Sequence, residues 1–331
     1  MKKTTDNQKA FPSRTTAANE RIAKAPGSTG YSNTYQDITD KVLAALQQGD
    51  IIWRKPWSAN RQRPANLSSG KTYRGWNMFY LSWMIQANNF LSRYFVTFKQ
   101  AQALGGHIKK GSKGFPIIKW VVKNGNAPDD NEAVTDKAGR PTIYPITHIV
   151  FNVAQTENLN HPADDCTCEP VDKIAACEEI LQHMGDRPPV ISGGDQAAYS
   201  WPLDRIYMPE RDSFHVSEEY YATLYHELIH STGHPKRLAR RELTENDGFG
   251  SETYSREELT AEFGAAYLCG LTGIVQKTIV NSAAYIKGWM QRLQSDPTLL
   301  VRATTKAQAA VDFLLPSPEK KEETRPLISE A

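Results

Sequence analysis

The chain has 331 residues, 40% hydrophobic and 23% charged, enough for two units with real cores and ordinary for a soluble globular protein. It holds no run of 18 apolar residues, which excludes a membrane-spanning helix, and no apolar segment follows its first lysines, so no secretory signal is visible. The net charge of +2 hides an asymmetry: thirteen Lys and Arg, and no Asp or Glu, fall between Ile51 and Gly125, leaving the remainder net acidic. A basic unit joined to an acidic one points to a polyanionic partner for the first alone, and argues against an acidic mimic of DNA. The four cysteines, Cys166, Cys168, Cys177 and Cys269, are few and irregularly spaced, as in a reducing cytoplasm. Cys166 and Cys168 lie near His161 but lack a zinc-site spacing.

Residues 1–34 are polar and read as a flexible tail. Tyr35 to Gln48 places Ile38, Val42, Leu43 and Leu46 at helical spacing, with Gly49 as its stop. The basic stretch then follows, carrying Arg54, Lys55, Arg61, Arg63, Lys71, Arg74, Lys99, Lys109, Lys110 and Lys113. Trp53, Trp57, Tyr73, Trp76, Tyr94 and Phe98 are interleaved with these cations, and five of the seven tryptophans fall in this quarter of the chain. Cations neutralise phosphates and aromatic faces stack unpaired bases of any kind, so the pattern predicts a surface for single-stranded nucleic acid. The apolar run Met78 to Ile85 reads as core. Ala65 to Thr72 approximates a phosphate-binding P-loop, but Pro64 before it and Tyr73-Arg74-Gly75 after it supply neither the strand nor the helix that motif needs. Gly105 to Gly114 is a glycine-rich basic loop whose amides can approach phosphate.

Ile117–Val122 and Ile143–Val153 read as the strands of a long hairpin with a hydrophilic tip. Residues 158–170 are polar and proline-containing and read as a linker between a first unit, 35–157, and a second, 171–315. In the second unit Val171–Met184 is an amphipathic helix, and Ala198–Trp201 and Arg205–Met208 pair as a short hairpin directed at the helix that follows.

That helix contains His226-Glu227-x-x-His230. Positions four apart lie one turn above each other, so both imidazoles project from one face and can share a metal, while Glu227 is placed to take a proton from water. Ser217 is the expected N-cap, and Gly233 with Pro235 ends the run. A catalytic zinc takes a third protein ligand. Position 236 is Lys, where a third His six residues after His230 would fall, and His234 lies past the helix-ending glycine. Tyr254 to Leu268 offers better: Ser255 and Glu258 have capping-box spacing, and Glu258 and Glu262 then share one face. Glu258 is the expected ligand, with Glu257 as its substitute, and Glu262 is the expected outer carboxylate that fixes a histidine tautomer. Tyr254, Arg256 and His234 are candidate oxyanion donors. Ala283–Leu293 and Leu299–Leu315 are helical by period, and 316–331 is a charged tail.

The segments P-W (56–57), Y-R-G-W-N (73–77), K-K-G-S-K-G (109–114), F-N-V-A-Q-T (151–156), M-P-E-R-D-S-F (208–214), Y-Y-A-T-L-Y-H-E-L-I-H-S-T-G-H (220–234) and E-E-L-T-A-E-F-G-A-A-Y-L (257–268) resemble the ArdC-type antirestriction proteins of conjugative plasmids. The resemblance implies an α+β protein of two domains: a single-stranded-DNA-binding domain, and a mostly helical zincin-like metallopeptidase domain with a small antiparallel sheet. It implies protection of entering plasmid DNA, a zinc or manganese ion, and a peptide bond as substrate. Asn77 joins the candidate DNA contacts through the Y-R-G-W-N segment. The first unit alone also resembles part of certain plasmid primases. The competing expectation is therefore a DNA-binding protector, or a primase-associated module, whose metal site is structural.

Overall fold

The first helix, α1 (Thr29–Gln47), turns Ile38, Val42, Leu43 and Leu46 into the interior and stops where Gly49 takes φ +80° and donates its N–H to the Leu46 carbonyl at 2.9 Å. It begins six residues before the periodic pattern at Tyr35, so part of the expected tail is helix. The computed structural model of the chain describes residues 29–52, 63–122, 143–162, 172–244, 252–274 and 283–315. The rest of both expected tails, most of the linker with Cys166 and Cys168, and the hairpin tip lie outside the described residues.

The first unit continues with β1 (Ala65–Asn66), α2 (Gly75–Ala87), β2 (Tyr94–Val96), α3 (Phe98–Ala103), β3 (His107–Ile108), β4 (Phe115–Val122), β5 (Ile143–Asn152) and β6 (Thr156–Glu157). One sheet runs β1-β2-β5-β4, with β1 and β2 parallel and the other neighbours antiparallel. The predicted long hairpin is β4 and β5, in register from Phe115 opposite Val150 to Val122 opposite Ile143. β3 and β6 form a separate two-stranded ladder. Helix α2 buries Trp76, Met78, Phe79, Tyr80, Leu81 and Met84; a helix apolar on every side must be covered on every side.

The second unit comprises α4 (Lys173–His183), β7 (Val190–Ser192), β8 (Ala198–Ser200), β9 (Arg205–Met208), α5 (Ser217–Thr232), α6 (Arg241–Thr244), α7 (Glu252–Thr272), α8 (Ala283–Ser295) and α9 (Leu299–Leu314). The expected β8–β9 hairpin is present, and β7 adds to it in parallel, giving the order β7-β9-β8. Two predicted helix starts shift. Val216, not Ser217, is the N-cap of α5, without a side-chain cap bond. Helix α7 begins at Glu252, so Ser255 and Glu258 lie within it and form no capping box.

The two units share one hydrophobic core. Helix α1 packs on α8, and α2 packs on α9. The Phe79 ring meets Phe263 edge-on at 4.9 Å and Tyr267 at 6.3 Å. Polar bonds cross the same seam: Gly75 N–H to Gln308 Oε1 at 3.0 Å, Arg63 Nη1 to the Tyr267 hydroxyl at 2.7 Å, and Thr39 Oγ1 to the Pro297 carbonyl at 3.0 Å.

Candidate metal centre

Helices α5 and α7 lie side by side, close enough that a Cβ built on Gly264 of α7 would stand 2.7 Å from Ile229 Cδ1 of α5. The missing side chain lets the facing rows of the two helices meet. From α5 come His226 and His230; from α7 comes Glu258. Ligand atoms of these three lie within 4.8 Å of one another. The Nε2 atoms are 3.1 Å apart, and the Glu258 carboxylate approaches His226 Nε2 at 3.5 Å and His230 Nε2 at 3.4 Å. Metal–ligand bonds of about 2.0–2.1 Å at tetrahedral angles put neighbouring donors about 3.3–3.4 Å apart. Two imidazoles and a carboxylate at this spacing therefore fit a divalent cation, and no other cluster of three such donors occurs among the described residues.

The electrostatics are those of three ligands pulled together. Burial alone would lower the His230 pKa, but its bonds to Glu257 and Glu258 overturn this and push it up to about 10. For Glu258 burial opposes the charge, and the two histidines prevail, holding it well below the usual carboxylate range. Burial also opposes the charged form of His226, and the bond to Glu258 outweighs it, with Glu227 and Glu262 adding to the rise.

An outer layer fixes the candidate ligands. Because a carboxylate can only accept, His230 Nδ1 donates to Glu257 Oε1 at 3.2 Å, which leaves Nε2 free for metal. Glu257, 3% exposed, is held in turn by Arg240, whose Nε donates to its Oε2 at 2.9 Å. Arg240 also donates to the Ile229 carbonyl and to Thr232 Oγ1 at the end of α5. Its guanidinium lies against Gly233, where a Cβ would come within 2.9 Å of Nη2. Glu257, foreseen only as a substitute ligand, thus orients His230, the task expected of Glu262. Glu262 is buried nearby, close enough for its charge to act on His226.

Glu227, 8% exposed, accepts the backbone N–H of Tyr199 in β8 at 2.7 Å through Oε2, so the short hairpin reaches the helix as predicted. A clamp holds that hairpin: Arg237 pairs with Asp204 in the β8–β9 turn, and the Tyr199 hydroxyl donates to Asp204 Oδ1 at 2.8 Å. Of the three candidate oxyanion donors, Tyr254 bonds a residue of the candidate site, Glu258; burial, then that carboxylate, raises its pKa and keeps it a donor. Arg256 faces Asp296 at 3.6 Å, and His234 lies against Trp201 and Asp204.

Comparison with known proteins agrees with this architecture. Residues 32–149 match the N-terminal domain of anti-restriction factor ArdC, and residues 175–306 match a zincin-like metallopeptidase family. The metal-free crystal structure of the antirestriction ArdC protein from the R388 plasmid is 32% identical, with a TM-score of 0.65, over 85% of this chain and 96% of that one. The chain belongs to the ArdC antirestriction family. A Mn(II)-bound structure of the R388 ArdC protein gives a TM-score of 0.64 at the same coverage. Uncharacterized protein y4eC of Sinorhizobium fredii is 29% identical over 86% of this chain and 92% of its own length. DNA primase TraC of Escherichia coli is 33% identical over 303 residues, 86% of this chain. The chain spans only 20% and 27% of the lengths of two such primases. ArdC membership confirms the two-domain α+β fold, and its zincin-like half implies a divalent metal.

The basic unit is distributed unevenly. Arg54, Lys55, Trp57 and Arg61, with Trp53, lie outside the described residues. Lys71, Arg74, Lys99, Lys110 and Lys113 are exposed, and exposed Lys109 donates from Nζ to the Ala154 carbonyl at 3.0 Å. Phe98 is 52% exposed beside Lys99. Arg63 is tied to Tyr267, and Tyr73 is half-buried, edge-on to Phe95. Trp76 and Asn77 depart from the expected surface. Trp76 is 3% exposed and stacks on Tyr80 one turn later, so its ring faces are taken by the protein. Asn77 donates from Nδ2 to the Ile118 carbonyl at 2.6 Å and accepts the Ile118 N–H at 2.9 Å, splicing α2 to β4. Tyr94, too, is buried, with Arg93 over its ring. Among the described residues, no helix is long and apolar enough to cross a membrane.

Proposed function

We propose that this chain protects DNA from restriction by binding it as a single strand through its basic unit, and that its second unit hydrolyses a peptide bond at a zinc site. His226, His230 and Glu258 would hold the ion, which when bound supplies Lewis-acid polarisation and a more acidic water. Glu227 is the residue placed to accept the proton of the attacking water and to return it to the leaving amine. The Tyr199 N–H holds one of its oxygens, Oε2, and leaves Oε1 for that transfer. The Tyr254 hydroxyl, protonated and bonded to Glu258, would serve a developing oxyanion only by turning its one proton away from that carboxylate. Glu257 and Arg240 hold His230 in the required tautomer.

The observation that carries the hydrolytic reading is the convergence of three ligand atoms within 4.8 Å of one another with an acid, Glu227, adjoining them in the same helix. The exposed cations Lys71, Lys99, Lys110 and Lys113, with Phe98 among them, support the nucleic-acid reading. Manganese is the alternative ion, given the Mn(II)-bound relative. The deciding experiment is Glu227→Ala, assayed for metal content, for peptide hydrolysis and for protection of incoming plasmid DNA in a restricting host. Retained metal with lost hydrolysis and lost protection is expected. Full protection by this variant would detach catalysis from antirestriction.

One observation favours a second reading: the site joins α5 to α7, two helices of the shared core, where an ion would brace the fold. A non-hydrolytic DNA protector of that kind would lose stability on metal removal and keep protection in Glu227→Ala.

A further inference from the structure

At the seam between the two units lies a crevice of about 150 Å³ that neither the metal centre nor the lysine-bearing surface uses. Its walls come from three elements: Arg74 and Trp76 at the start of α2, Ile118 and Trp120 on β4, and Thr305 on α9 of the second unit. Two features of this lining are unusual. The Trp76 indole N–H is buried with no hydrogen-bond partner among the described residues, although buried indole donors ordinarily find one. Trp120, a large aromatic on a strand, is 43% exposed at the same crevice.

We infer that this crevice receives one unpaired nucleobase of the bound strand, lying against Trp120 and hydrogen-bonded by the Trp76 indole. The chemistry of the walls selects a base. Thr305 donates its hydroxyl proton to the Val301 carbonyl at 2.7 Å, so its oxygen is available as an acceptor. The crevice thus offers the Thr305 oxygen as an acceptor next to an aromatic face, and the unpartnered Trp76 N–H lies buried in its wall, where a small shift of the lining would bring it to a base. The Watson–Crick edge of every base, free in a single strand, carries both an acceptor and a donor, and every base has a π-face, so the site is base-tolerant, as a protein reading entering DNA of any sequence requires. Asn77 and Gln308, also in the lining, do not add specificity: Asn77 is spent on Ile118, and Gln308 on Gly75 and Asp312. The volume is well below the several hundred Å³ typical of pockets for larger ligands. It rests on the single-strand-binding reading above, and extends the strand's path from the basic unit onto α9.

The test uses the full chain and two fluorescent oligonucleotides of equal length and phosphate count, one oligo-dT and one of abasic spacers. Trp120→Ala removes the exposed ring, and Thr305→Leu fills the crevice from the zincin side. Each variant is expected to weaken oligo-dT binding at least about fivefold, the lower end of what one stacked base contributes. Each is expected to leave abasic affinity and the salt dependence unchanged, since no phosphate contact is lost. Parent-like oligo-dT binding by Thr305→Leu would overturn the inference, even if Trp120→Ala were weakened, because a base would then stack outside the crevice. Equal losses on both oligonucleotides would overturn it as well, placing the contact on the backbone. If the parent bound neither, the single-strand reading itself would fall, and this inference with it.

Discussion

Replacing Arg240 by Leu tests whether the layer behind the metal ligands is as coupled as its geometry implies. The guanidinium is 7% exposed and serves Glu257, Thr232 Oγ1 and the Ile229 carbonyl. Without it the Glu257 carboxylate, 3% exposed, keeps only His230 as a charged partner among the described residues. Breaking a buried pair from one side costs about 3–5 kcal/mol, because the remaining charge stays buried and unpaired. With about 2.1 cal/mol/K of unfolding entropy per residue, a chain of 331 residues loses about 1.4 °C of melting temperature per kcal/mol, so a fall of at least about 4 °C is expected. The assay is thermal unfolding of the metal-free protein followed by circular dichroism, with a Glu257→Gln, Arg240→Leu double variant beside it. The double variant should recover part of the loss, since a neutral amide no longer requires the cation. A single variant melting within about 2 °C of the parent would refute the coupling, and the tautomer assignment for His230 would lose its support.

Four further outcomes follow from the same geometry. His226→Ala and His230→Ala should each abolish stoichiometric metal by elemental analysis while secondary structure is retained; full occupancy in both would remove the site assignment. Gly264→Ala should destabilise by about 1–3 kcal/mol through overpacking and weaken metal affinity, because its methyl meets Ile229 and separates the helices that carry the ligands; urea unfolding and metal titration read the two effects. For Asp204, burial raises the pKa, but Arg237 and then Tyr199 outweigh it and hold it below its ordinary value. Its contribution is therefore present above the ordinary carboxylate range and lost as pH falls through the depressed folded value, so Asp204→Asn should flatten the acid limb of the stability profile. Finally, Lys110→Ala with Lys113→Ala should lower the slope of log affinity against log salt for single strands by about 1–2, with little dependence on sequence.

How much of this was legible in the chain depends on the kind of signal. The shared face of His226 and His230 on α5 was, because a four-residue spacing fixes it once a helix is granted. The approach of Glu258 to both imidazoles was legible, yet its neighbour's bond to His230 was not. Two adjacent acids differ by about 100° around the helix, and only the packing of α7 on α5 decides which faces the ion and which faces the back of His230. Arg240 was invisible for another reason: it reaches Glu257 through the tight Gly233–Ala239 loop, which carries no periodicity. Trp76 and Asn77 misled as exposed groups, because composition describes a neighbourhood, whereas the all-apolar character of Gly75–Ala87 already required that helix to be enclosed. Strand β7 was missed because three residues, two of them exposed, make no pattern.

The seam between the units has a consequence for any attempt to divide the molecule. Phe79 and its neighbours on α2 form part of the roof over Phe263 and Tyr267, on the very helix that supplies Glu257 and Glu258. A fragment cut at the linker would leave that roof off, baring aromatic rings to water and loosening the wall on which the carboxylates stand. The two halves are therefore not beads on a string. They should melt together, be inherited together, and be purified intact or not at all.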